Sequence, residues 1–147
     1  MVFSLQLYKL LHLLGFSLLL GGMLTSLLIA RREKGDAGAE KGAFVAAHLV
    51  AAPGLLIVLL TGFAQSFLHQ WVEFKGAGFM HAKLLLVVVV IACLAVDIRG
   101  QGVMRRDRKA GINLLVQAKW LARRNAANML GVLAVLGIYV LIIFRPF

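Results

Sequence analysis

The sequence predicts an all-α membrane protein: four transmembrane helices in an antiparallel bundle, forming one domain over residues 1–147. Both termini are expected outside the cytoplasm, with an amphipathic helix in the third loop. Three observations predict this. Apolar residues make up 61% of the chain and its mean hydropathy is +0.90, more than a soluble domain of this size can cover with polar surface. The apolar residues fall into four runs, each near the roughly 20 residues that a helix needs to cross a hydrocarbon core. The basic residues crowd into two of the three connections, the asymmetry that orients membrane helices.

The first run spans about Leu10 to Ala30. Arg31 and Arg32 follow it directly, and it is longer than the apolar core of a signal peptide, so it is expected to stay as a span. His12, Gly15, Leu19, Gly22 and Ser26 recur at 3-4-3-4 spacing and share one stripe. That stripe has two readings. It is a close helix–helix seam with a hydrogen-bonded histidine, or an axial ligand above a surface flat enough for a ring.

The second run, about Ala43 to Leu68, contains Pro53-Gly54 and Thr61-Gly62; the proline predicts a kink. The third runs from about Gly78 to Val96 and the fourth from about Ala126 to Phe144. Between them, Asp97 to Asn125 is expected to form the longest connection. Its Ile112, Leu115, Val116, Trp120 and Leu121 suit a helix lying on the membrane face, with Trp120 at headgroup depth.

Loop one carries Arg31, Arg32, Lys34 and Lys41. Loop three carries Arg99, Arg105, Arg106, Arg108, Lys109, Lys119, Arg123 and Arg124. Loop two has only Lys75. Loops one and three are therefore expected in the cytoplasm, in a bacterial inner-membrane, multi-pass topology. The net charge of +10 then reflects topology and contact with anionic lipid headgroups. No nucleic-acid recognition motif accompanies it.

Ionisable side chains in spans are costly, so each is a functional candidate. They are Lys9, His12, His48, His69, His81 and Lys83. Lys9 can snorkel to water, as Lys83 also can, and His69 is expected at the interface. Depth sorts the others. His12 and His48 should lie roughly 15–20 Å apart along the membrane normal, and His12 and His81 within roughly 10 Å. The single cysteine, Cys93, permits no internal disulfide, and no CxxCH haem-attachment motif occurs. A zinc site would need three or four close ligands, and on this reading no span carries an interior carboxylate. Copper could use histidine with Met23 or Met80. Haem iron needs only one or two nitrogen ligands and an apolar slot, which suits the inventory best. Lys83 could then pair a propionate, ligate iron or move a proton.

Several stretches resemble one family. "YKLLHLLGFSLLLGG" is similar to the Lys-x-x-His opening of the HemJ family, the membrane protoporphyrinogen oxidases, which belong to a wider group with CopD-type copper-resistance proteins. "APGLLIVLLTG" resembles the second-helix proline and later Thr/Gly, and "FMHAKLLLVVVV" the His-x-Lys-Leu-Leu-Leu start of the third helix. "RRNAANMLGVLAVLGIYVLIIFRPF" resembles the fourth helix. Where that family has Tyr-His in its third helix, this chain has Cys93-Leu94. The resemblance implies haem b held by His12 and His81, with Lys9, Gly15 and Gly22 alongside and Lys83 as the activity residue. His48 and His69 are further metal-ligand candidates. It implies oxidation of a tetrapyrrole, protoporphyrinogen IX, with electrons passing to a quinone or other respiratory-chain acceptor. Four helices are thin cover for a haem, so a homo-oligomer is expected. The alternatives are a CopD-like copper-handling protein, or a cofactor-free assembly subunit.

Overall fold

The computed structural model describes residues 2–32, 37–68, 78–111 and 114–143. Helix α1 is Val2–Arg32 and α2 is Ala37–Val45; a π-helical segment, Ala46–Ala51, leads into α3, Ala52–Leu68. Helix α4 is Gly78–Lys109 and α5 is Leu114–Ile143. Four stretches are long and apolar enough to cross a membrane: Gln6–Arg31, Gly38–Ala64, His81–Asp107 and Gln117–Leu141. Helix is the economical state for such sequence, because each backbone N–H and C=O is satisfied within its own segment. The outer surface is aliphatic, with Leu10, Leu49, Leu60, Leu85 and Val88 all exposed. A soluble bundle would bury that stripe; a lipid-facing one presents it.

The bundle is tied along two main pairs. On α1 and α3, Gly15 and Gly54 sit backbone to backbone: a Cβ at Gly54 would meet the Leu19 nitrogen at 2.6 Å and the Gly15 carbonyl at 2.8 Å. Nearer the start of the second span, a Cβ at Gly22 would meet the Ala51 nitrogen at 2.6 Å. The histidine-glycine stripe is therefore a helix–helix seam, the close approach that small residues permit in membranes. The π segment ends one residue short of Pro53, at Ala51. A proline ring lacks an N–H and crowds the carbonyl four residues back, and a widened turn takes up that misfit. The Ala52 N–H donates to the Ala47 carbonyl, five residues back.

The second pair is α4 with α5, in contact along their length. Gly100 lies against Arg124, Gly131 against Cys93 and Gly137 against Leu86. The expected long third loop is not there. Helix α4 runs on to Lys109 and α5 starts at Leu114. The short link contains Gly111 at φ 67°, a left-handed conformation that glycine adopts without strain. From Leu114 on, the segment read as a separate amphipathic helix is the opening of α5, Ile112 lying outside the described residues; its Trp120 packs beside Gly100 with the Arg123 guanidinium over its ring. Polar residues at 97–109 and 117–125 mark a change of environment along the helices, and the backbone continues through it.

The core runs along the bundle axis. Phe16, Leu19 and Met23 of α1 pack on Ala51, Val58, Val90, Cys93, Leu94, Ala134, Val135 and Ile138.

Candidate functional site

Two polar clusters occupy opposite ends of the bundle. The first centres on His12, half-buried on α1. Its Nδ1 lies 2.8 Å from Thr61 Oγ1. The Thr61 hydroxyl donates to the Ile57 carbonyl at 2.6 Å. A threonine has one proton, so Oγ1 can only accept from His12. This network places the His12 proton on Nδ1 and leaves the lone pair of the neutral ring on Nε2. The ring is held from its sides as well. Gly62 leaves room at Cε1, and Phe16 meets His12 edge-on at 5.4 Å between centroids. Phe16 in turn meets Tyr139 at 6.3 Å.

Register relates this point to α4. The Ser26–Asp97 hydrogen bond joins positions 71 apart. The same offset sets Lys83 level with His12, and His81 about 3 Å from that level. Shared level is not shared facing: His12 turns into the α1–α3 seam, whereas His81 lies on the exposed face of α4. Lys9 is exposed. Of the two readings of the Gly15 and Gly22 stripe, an open platform for a flat ring is not what lies beside them: the Ile57 and Val58 side chains and the Gly54 carbonyl fill the space at Gly15, and the Ala51 and Ala46 backbone fills it at Gly22. Met23, the copper-ligand candidate, is fully buried in the core, where it fills the space beside Gly131. His69 lies outside the described residues, as does the Met80 side chain.

His48 sits in the π segment. Its Nδ1–H donates to the Phe44 carbonyl at 3.1 Å, and its ring stacks on Phe44 at 4.0 Å. The Arg105 guanidinium lies 4.3 Å from the Phe44 centroid and 3.2 Å from Glu40 Oε1. This clasp joins α2 and the π segment to α4.

The second cluster is the one that sequence reading missed. Asp97 and Arg124 form an ion pair at 2.9 Å, with side-chain exposures of 0% and 1%. Asp97 Oδ2 accepts from the Ser26 hydroxyl at 2.8 Å and from Gln101 Nε2 at 3.2 Å. Asn128 Nδ2 donates to Ser26 Oγ at 3.4 Å, and Arg124 Nη1 to the Met104 sulfur at 3.5 Å. Gln101 also reaches the Ala43 carbonyl at 3.4 Å. A span therefore does carry an interior carboxylate, contrary to expectation. Asp97 was placed in a loop because it ends an apolar run. The spacing of Asp97 with Gln101, and of Arg124 with Asn128, was the available signal: each pair is i, i+4 and shares a helix face. Arg124 replaces water around Asp97 with a fixed counter-charge, without which a buried carboxylate would be prohibitively costly.

Chemically, the two ends differ. The His12 end holds one imidazole with a defined tautomer and a cation at its level. The Asp97 end is a neutralised, internally bonded lock across α1, α2, α4 and α5. Among the described residues no group of three or more His, Cys, Asp or Glu side chains could hold a metal ion. Comparison with protein-family models, curated proteins and solved structures finds nothing that matches this chain.

Proposed function

We propose that the chain is an antiparallel four-helix protein of a bacterial inner membrane, its termini on the outer side, that binds haem b through His12 and acts as a HemJ-like oxidoreductase on a tetrapyrrole. The observation that carries this reading is the His12–Thr61–Ile57 chain. A metal-binding histidine usually donates its other ring N–H to a fixed acceptor, which sets tautomer and orientation. His12 has that arrangement, with Nε2 as the ligating atom. The fit is confined to the imidazole. The filled glycine seam does not fit as a ring platform, so His12 and the α4 side chains at its level would carry the binding.

Bound haem would supply one-electron redox chemistry. The chain's own residues do the rest. Thr61 holds His12 by accepting from Nδ1. Lys83 supplies a positive charge for a propionate or a proton for transfer at Nζ. The apolar helices exclude water. Electrons from the substrate would pass to a quinone or another respiratory-chain acceptor, and pairing of two copies would thicken the cover around the ring.

Complementation tests the activity. A strain lacking protoporphyrinogen oxidase should regain haem synthesis with this chain, and lose it with His12→Ala or Lys83→Ala at equal protein level. Failure of the unaltered chain, expressed and folded in the membrane, would rule the oxidase reading out. A second reading is favoured by the filled seam: a cofactor-free membrane subunit in which His12 is a packed, hydrogen-bonded residue. It predicts wild-type behaviour for His12→Ala.

A further inference from the structure

A groove of about 550 Å³ opens on the outside of the bundle, between α1 and the α2–π segment. One wall is Gly21, Gly22 and Thr25; the other includes Gly38, Lys41 and Gly42. It lies away from the His12 end. From Gly21 it climbs along α1 toward Arg31, where the described basic side chains Arg31, Arg99, Arg106, Lys109, Lys119 and Arg123 are exposed. The floor is apolar, and Lys41 is the one ionisable side chain in the lining.

We propose that this groove binds one anionic phospholipid, with an acyl chain along the glycine walls and the phosphate on Lys41. Charge decides the occupant. A cation at the mouth of an apolar channel, at the basic end of the helices, complements an anionic head on an apolar tail. A second copy of the chain is disfavoured. A two-fold axis along the membrane normal would bring the same patch to itself at the same depth, so the two Lys41 side chains would face one another, like charge against like charge. A Cβ at Gly21 would meet no atom within 4 Å, so a larger side chain there would enter the groove without displacing the protein. Nothing in this inference depends on haem.

The test is native mass spectrometry of the detergent-purified full chain, titrated with phosphatidylglycerol or with phosphatidylcholine of the same acyl length. The expected result is one tightly retained phosphatidylglycerol. Lys41→Gln should weaken its retention about fivefold, the equivalent of about 1 kcal/mol for one basic side chain at an anionic head. Gly21→Leu should fill the channel and weaken both lipids without unfolding the protein, since the new side chain enters open space. Equal retention of the two lipids, or retention unchanged in both variants, would overturn the proposal. So would a lipid-free dimer that Gly21→Leu abolishes, which would assign the groove to a second copy.

Discussion

Asp97 and Arg124 show how one residue pair can set the energetics of a helical end. Both are out of contact with solvent, and each is the other's counter-charge. Removing one partner leaves the other buried and uncompensated, a loss of about 3–5 kcal/mol. Asp97→Ala should therefore lower the thermal unfolding midpoint sharply in detergent, or prevent accumulation in the membrane. The double variant Asp97→Leu, Arg124→Leu should recover most of that loss, because a well-packed apolar pair is often as stable as a buried ion pair. A double variant no better than Asp97→Ala would show that the pair does not act as a unit. Thr61 offers a second test. Thr61→Val keeps the shape but deletes the acceptor for His12 Nδ1. If His12 ligates haem iron, haem affinity should fall by about 10–100-fold, the usual cost of losing such a supporting partner, and titration with hemin reads this directly. The aliphatic residues around both sites told little. His12 stood out in the sequence because imidazole is rare in a span. Asp97 did not, because it closes an apolar run and looked like the first residue of a loop.

At the scale of elements, glycine positions separate seam from surface. Gly22 faces the Ala51 backbone and Gly102 faces open space. Gly22→Ala should destabilise, because backbone cannot move aside as a side chain can. Gly102→Ala should stabilise by about 0.5–1 kcal/mol through helix propensity. Thermal melts of the two variants should shift in opposite directions, and a shared direction would contradict the packing described. The 3-4-3-4 stripe on α1 was legible because helical periodicity places those residues on one face whatever they pack against. What they pack against was not legible, which is why a platform for a ring remained open until Gly54 and Ala51 were seen in that space. The Pro53 distortion was legible as a break, though its form as a π turn was not: a proline says that one hydrogen bond is missing, not how the ladder rearranges. The third loop was misread for a related reason. Charged residues at 97–109 and 117–125 end the apolar runs, yet charge alone does not end a helix, and Gly111 with its positive φ marks the turn.

For the whole molecule, four apolar helices with an aliphatic exterior follow from composition and run length, and these were readable from the sequence. Orientation rests on the basic residues at one end of the helices. It can be tested by single cysteines at Gly111 and near the N-terminus, in a background with Cys93→Ala. A membrane-impermeant maleimide applied to intact cells should label the N-terminal site and spare position 111; the reverse pattern would invert the topology. The functional reading is narrower and depends on one imidazole. Its most direct test is the reduced-minus-oxidised optical spectrum of the purified protein after growth with added haem precursor, compared with His12→Ala. The account predicts Soret and α bands in the unaltered protein that are lost or shifted when His12 is replaced. A folded, haem-exposed protein with no Soret band, or with bands indifferent to His12, would contradict it.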